Sequence, residues 1–279
     1  MARGKDDVMQ LFSSWTGSDF LLFYTMLLGM ATFAAWWLPL HLREPGRRGE
    51  SDDLESIALL AGGRQRMADS LIADLYVRGA LVSADKGKLH VAARDLPASP
   101  GAKALLAIDA PVTLDEARRA IHIHADRVAA RLRRAGLLLR PEEHNRLRWL
   151  SVAPFGALAA LGLYRLRAGS MLDEPVGFLI VLLILTVVLA VIRFATCDPR
   201  TAAGKAAVQQ MRARNGRFSR APRPEEAAMA VALFGTGVLV GTPWEPVHAM
   251  RQRDGDGGGA DGSSDGGGDG GGGCGGCGG

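Results

Sequence analysis

The residues best suited to chemistry stand at the far end of the chain. Cys274 and Cys277 are spaced as CxxC, with only glycine between and around them, in the run GGGGCGGCGG. Thiols placed so meet no steric bulk and are open to an enzyme, to a soft transition metal or to each other. A single CxxC is half of a structural zinc site, which takes a second pair of ligands. It also lacks the helix start that depresses a thiol pKa in thioredoxin-type motifs and the aliphatic residues of a prenylation box. The inert alternative is a plain flexible terminus. Two of the three cysteines fall in this one stretch, Cys197 being the third. That concentration favours a chemical role, either modification of the thiols by an enzyme or metal capture.

Two other groups invite a chemical reading. Arg127, Arg131 and Arg134 share one face of an amphipathic helix, with Arg118 and Arg119 at its start. Such a face can meet nucleic-acid phosphates or lie solvated near anionic lipid headgroups. Acidic residues nearly balance basic ones across this region, which favours the membrane over nucleic acid. His122 and His124 suggest a metal, but residues two apart on a helix point in different directions and cannot chelate one ion together. The sequence contains no HExxH, nucleophile elbow or phosphate loop, so an enzyme is not expected.

These groups must be positioned by a chain that is apolar in blocks. It has 279 residues, a formal charge of +4 and 48% hydrophobic residues. That mixture fits a few membrane spans joined to small folded parts. Residues 175–192, PVGFLIVLLILTVVLAVI, carry no charge and cover about 27 Å as a helix, close to the hydrocarbon thickness of a bilayer. Residues 20–42, after an N-terminal segment 1–19, form another span. It places Tyr24 and the Trp36–Trp37 pair near its two ends, where amphipathic rings favour the interface. A third apolar run, 149–164, is rich in small residues and contains Pro154. It is expected to pack on the 175–192 span as an antiparallel hairpin across the loop 165–174. No Asp, Glu, Lys or Arg lies inside these spans, which argues against a transporter.

Between the first two spans, residues 43–148 read as a domain of mixed α and β character. Asp52, Asp53 and Glu55 open a helix, Gly62-Gly63 breaks it, and Ala68, Leu71 and Leu75 share a face beyond the break. Gly79 then ends the helix, and ALVSADKGKLHV reads as strand, turn and strand. A shift of 57 residues brings Leu71, Leu75 and Gly79 onto Val128, Leu132 and Gly136. Thr113 with Glu116 makes a capping box for this second helix, whose apolar face is Ile121, Ala125, Val128 and Leu132. The segment LLLRPEEHNRLRWL is then expected to be a second hairpin. The result is a tandem, winged-helix-like α+β domain, a form that keeps open a membrane-tethered DNA-binding regulator.

Residues 193–252 are basic, with Arg200, Lys205, Arg212, Arg214, Arg217, Arg220 and Arg223. Within them 227–241, AAMAVALFGTGVLVG, is apolar but short, a length more typical of a buried or interfacial helix than of a fourth span. The tail 253–279 is glycine and aspartate with two cysteines, and is expected to be disordered. Arginine-rich flanks place 43–148 and everything after Arg193 in the cytoplasm. If 227–241 were to span, the tail would lie outside.

The GSDFLLFY entry to the first span, the AVALFGTGVLVG segment and the GGGGCGGCGG end together resemble a family of uncharacterised bacterial membrane proteins. These have an early anchor, a cytoplasmic region, a pair of spans and a tail rich in glycine and cysteine. The resemblance covers the full chain. It implies the bacterial inner membrane and no established enzymatic activity. From the residues themselves, the cytoplasmic tandem unit is expected to dock a protein partner, and the tail thiols to meet a modifying enzyme or a soft metal.

Overall fold

The computed structural model describes residues 17–47, 53–84, 88–109, 111–171, 177–220 and 222–257. Three helices are long and apolar enough to cross a membrane: α1 (Gly17–Leu42), α5 (Pro141–Met171) and α6 (Gly177–Ala195). The remainder of the described chain folds into a head at one end of these three. It comprises α2 (Leu54–Val77), strands β1 (Leu81–Ser83) and β2 (Leu89–Val91), α3 (Pro100–Leu106), α4 (Leu114–Arg134), α7 (Ala202–Arg214), α8 (Ala227–Phe234) and α9 (Glu245–Gly257). The described residues are mainly helical, at 75% helix.

The long helices leave many large apolar side chains facing outward. Leu22, Met26, Met30 and Phe33 form an exposed stripe on α1, and Phe178, Val181, Ile184 and Val191 do the same on α6. Between the helices are buried Phe20, Tyr24 and Leu28 of α1, Phe155 and Leu158 of α5 and Leu179 of α6, together with smaller groups. Gly162 of α5 faces both neighbours, and a Cβ there would stand 3.1 Å from the Tyr24 ring and 3.2 Å from Leu183. Small residues thus let the backbones approach, as expected for the 149–164 run. Tyr24 departs from expectation. Its ring is fully buried rather than interfacial, and its hydroxyl lies 3.0 Å from Thr186 Oγ1 of α6. The Thr186 hydroxyl in turn donates to Leu182 O at 2.8 Å. A phenol among apolar helices needs a hydrogen-bond partner, and Thr186 supplies it.

The head has a conventional aliphatic core. Leu71, Ile72 and Leu75 of α2 pack with Ile121, Val128 and Leu132 of α4. The break at Gly62-Gly63 is present: Gly62 has φ −153° and Gly63 φ +73° inside the helix. The capping box is formed, with Glu116 accepting from Thr113 N at 2.9 Å and Thr113 Oγ1 accepting from Glu116 N at 3.3 Å. Glu55, expected to help open α2, also reaches α3, where its Oε1 accepts from Gly101 N at 3.0 Å.

The 57-residue repeat is visible in the backbone. Gly79 and Gly136 have φ of +72° and +74°. Ala80 N donates to Leu75 O at 2.9 Å and Leu137 N to Leu132 O at 3.0 Å. Both helices therefore end in the same glycine-centred Schellman turn. The two copies diverge after it. In the first, β1 and β2 pair antiparallel, Leu81 with Val91 and Ser83 with Leu89. In the second, the expected local hairpin does not form. Pro141 instead begins α5, with Glu142 and Glu143 in its first turn and Glu143 Oε2 accepting from Arg140 N at 3.0 Å. Proline in the first turn and acids beside the positive end of the helix dipole are initiation signals, and they outweigh the apparent strand alternation. Residues 137–139 find their partner elsewhere. Leu139 N donates to Pro199 O at 2.9 Å and Thr201 N to Leu137 O at 3.1 Å, with Leu138 bridged to Arg200. Helices α5 and α6 thus fall in sequence between these two bridged segments.

The apolar 227–241 segment lies inside the head. Ala230, Val231, Ala232 and Leu233 of α8 are buried and the helix packs on α2. It is eight residues long, too short to cross a bilayer. The kink in α2 serves this contact. A Cβ on Gly62 would meet Arg66 at 2.8 Å, and Gly235, at φ +97°, closes over the Arg66 guanidinium from the other side. Arg66 Nη1 donates to Val231 O at 3.4 Å. Asp69 Oδ2 accepts from Arg251 of α9 at 2.9 Å.

Candidate functional site

Cys274 and Cys277 lie outside the described residues, as does all of 258–279. The described chain places Cys197 in a small apolar cluster with Leu139 and Leu147. Burial pushes its thiol up, against the pull of Arg193, Arg43 and Arg148. A thiol held protonated is a poor nucleophile and a poor metal ligand, so Cys197 is structural.

Of the arginine face on α4, Arg127 is exposed. Arg131 Nη1 stands 3.6 Å from Asp53, and Arg134 Nε donates to Ala130 O at 3.3 Å. Arg118 pairs with Asp115 at 3.0 Å. His122 sits 3.4 Å from Asp126 and 3.3 Å from Arg64. Among the described residues no group of three metal-ligating side chains converges.

The arrangement richest in charge is one that sequence pattern did not single out. It is the neck where the head meets α1, α5 and α6. Asp198, just past α6, is its hub. Arg200 Nε donates to both carboxylate oxygens, at 3.0 and 3.2 Å, Lys205 Nζ lies at 3.3 Å and Arg43 Nη1 at 3.9 Å. Burial raises the Asp198 carboxyl, but hydrogen bonds and charge from Arg200, with Lys205, outweigh it and hold the group below the usual carboxylate range. Further arginines tie the helices to one another. Arg193 Nε of α6 donates to Ala35 O of α1 at 2.9 Å. Arg148 Nε of α5 donates to Phe194 O of α6 at 3.1 Å, with its guanidinium 3.8 Å from the Phe194 ring centre. Arginine suits this level because its stem packs on apolar helix while its head reaches the polar layer.

Beside the hub opens a cleft of about 550 Å³, lined by Arg47, Arg133, Arg134 and Arg140, with Glu44, Glu143 and Thr201. Its floor is a tight backbone junction. A Cβ on Gly46, where φ is +70°, would fall 2.3 Å from Gly136 O and 2.5 Å from Thr201 Oγ1. Thr201 Oγ1 donates to Gly136 O at 2.8 Å. The long separation in sequence between Glu44, Arg133 and Thr201 explains why no local motif announces the cleft.

The fold and the neck together define a class: a mainly helical protein with three helices of membrane-crossing length beneath a head joined to them by an arginine-rich collar. No family model, curated protein or solved structure matches the chain. The family resemblance drawn above therefore rests on its quoted motifs alone.

Proposed function

We propose that this chain is a non-enzymatic integral protein of the bacterial inner membrane. Its helices anchor a cytoplasmic head that docks a protein partner, and its tail presents Cys274 and Cys277 for thiol modification or soft-metal capture. The observation that carries the anchoring is the collar. Arg43, Arg148, Arg193, Arg200 and Lys205 all cluster where the three helices enter the head. Basic residues immediately beside spans favour the cytoplasmic side. The repeated helix and Schellman turn support a winged-helix-like origin for the head, its second copy opened by the membrane hairpin. A DNA-binding regulator using Arg127, Arg131 and Arg134 has weaker support, since Arg131 faces Asp53 and Arg134 lines the neck cleft.

Labelling of intact cells with a membrane-impermeant maleimide, in a Cys274→Ser/Cys277→Ser/Ser263→Cys variant whose reporter thiol stays reactive whatever the fate of the native CxxC, tests this placement. Because Cys197 is buried, the label reports on the tail. Reaction only after permeabilisation is expected, and reaction in intact cells refutes the topology. Mass spectrometry of the native C-terminal peptide tests the chemistry. A modified or metal-loaded CxxC is expected. Free thiols, together with normal behaviour of a Cys274→Ser/Cys277→Ser variant, remove the tail from the proposal.

A further inference from the structure

The neck cleft holds more positive charge than its own carboxylates neutralise. Four arginines and two glutamates line it. Among the described residues the guanidinium groups of Arg47, Arg133 and Arg140 have no carboxylate partner, unlike those of Arg43, Arg64, Arg78, Arg94, Arg118, Arg131, Arg200 and Arg217. Glu143 is engaged in capping α5. Unpaired cations gathered around one concavity repel one another, and an anion entering it relieves that repulsion. The planar arginine fork favours phosphate or carboxylate oxygens in bidentate geometry, and a low-dielectric wall strengthens the attraction.

The position of the cleft narrows the ligand further. Glu44 and Pro45 follow α1 by a few residues and Arg140 immediately precedes α5, so the cleft sits just above the membrane-crossing helices. On α5, Glu143, Pro154 and Leu161 are eleven and eighteen residues apart, about three and five turns, and so share one face. Pro154 and Leu161 belong to an apolar groove of about 430 Å³ between α1 and α5, also lined by Leu27, Met30 and Ala34. The groove lies about 16–27 Å along α5 from the cleft, within reach of an acyl chain whose headgroup stands near the arginines.

We propose that the neck cleft binds a phosphate-bearing anion through Arg47, Arg133 and Arg140. The phosphate is carried either on a lipid headgroup, with a chain in the α1–α5 groove, or on a small soluble molecule. This goes beyond the anchoring and tail chemistry above and stands whichever side of the membrane the head occupies. The test uses the full-length protein. In detergent, thermal unfolding is followed against inorganic pyrophosphate. In parallel, native mass spectrometry compares retention of phosphatidylglycerol with that of phosphatidylcholine. Stabilisation by pyrophosphate identifies a soluble ligand, and selective retention of phosphatidylglycerol alone identifies a lipid one. In either arm Arg133→Gln and Arg140→Gln each weaken binding about tenfold, while Arg127→Gln, exposed on the same helix as Arg133 but outside the cleft, leaves it unchanged. Among the described residues neither exchanged side chain has a carboxylate partner to lose, and unchanged far-UV circular dichroism checks the fold. Absence of binding in both arms, or an equal loss in the Arg127→Gln control, overturns the proposal.

Discussion

Two helices, α6 and α8, are built from nearly the same alphabet of alanine, valine, leucine and phenylalanine, yet they live in opposite surroundings. The side chains of α6 point away from the protein, with Phe178 75% exposed, whereas Val231 and Leu233 of α8 are 0% exposed. In α6 the inward face is reserved for Leu179 and for Thr186, which answers Tyr24. In α8 six of the eight residues are buried, and Met229 and Phe234 are partly so. Apolar character alone therefore does not distinguish a lipid-facing segment from the centre of a water-soluble core. Length does, because 19 residues reach across hydrocarbon and eight do not.

Truncation draws the contrast most sharply. Leu233→Ala leaves a cavity against α2 and is expected to cost about 2–5 kcal/mol. The same change at Leu185, which is exposed on α6, removes no protein contact of consequence and leaves the denaturation midpoint in detergent nearly unmoved. Equal midpoints for the two variants would erase the distinction.

The neck, where the two regions meet, comes next. Asp198→Asn strands Arg200 and Lys205 without a countercharge and is expected to cost about 2–3 kcal/mol at neutral pH. Because the folded protein holds the Asp198 carboxyl below its ordinary value, its contribution is fully present above the unfolded pKa of about 3.9. It is lost as pH falls through the folded value. The wild-type protein should therefore lose stability on acidification below about pH 4 more steeply than the variant. Parallel acid limbs in thermal melts would remove Asp198 as the hub.

A smaller effect is expected at Gly235, whose φ of +97° and ψ of 174° lie where almost only glycine is found. Gly235→Ala should cost about 1–3 kcal/mol and press on the Arg66 guanidinium 3.0 Å away. Gly156, in α5 with open space around it, should accept alanine without loss. The smallest change is Tyr24→Phe, which removes the one Tyr24–Thr186 bond and should cost about 0.6 kcal/mol, as hydrogen bonds between membrane helices do on average. A loss as large as that at Leu233 would mean that polar contacts, rather than lipid-facing apolar surface, hold the α1–α6 pair.

Much of this architecture was legible in local sequence. The three long apolar runs, the Gly62-Gly63 break, the Thr113–Glu116 capping box, and the glycines that end α2 and α4 all act within a few residues. Their physics is written in neighbouring side chains. The second hairpin was misread because Leu137–Leu139 pairs with residues on the far side of α5 and α6, and no local alternation encodes a partner 60 residues away. Tyr24 was misplaced for a similar reason, since its burial depends on Thr186, which lies in another helix.

By itself, then, the sequence determined which segments avoid water and where helices start and stop, because burial pattern, capping and glycine turns are short-range. Only the tertiary structure decided that α8 fills the head and that Asp198 gathers its cations. It also decided that Arg47, Arg133 and Arg140 share a cleft. Those outcomes depend on which distant segments come together, and the repulsion among unpaired cations arises only once folding has brought them there.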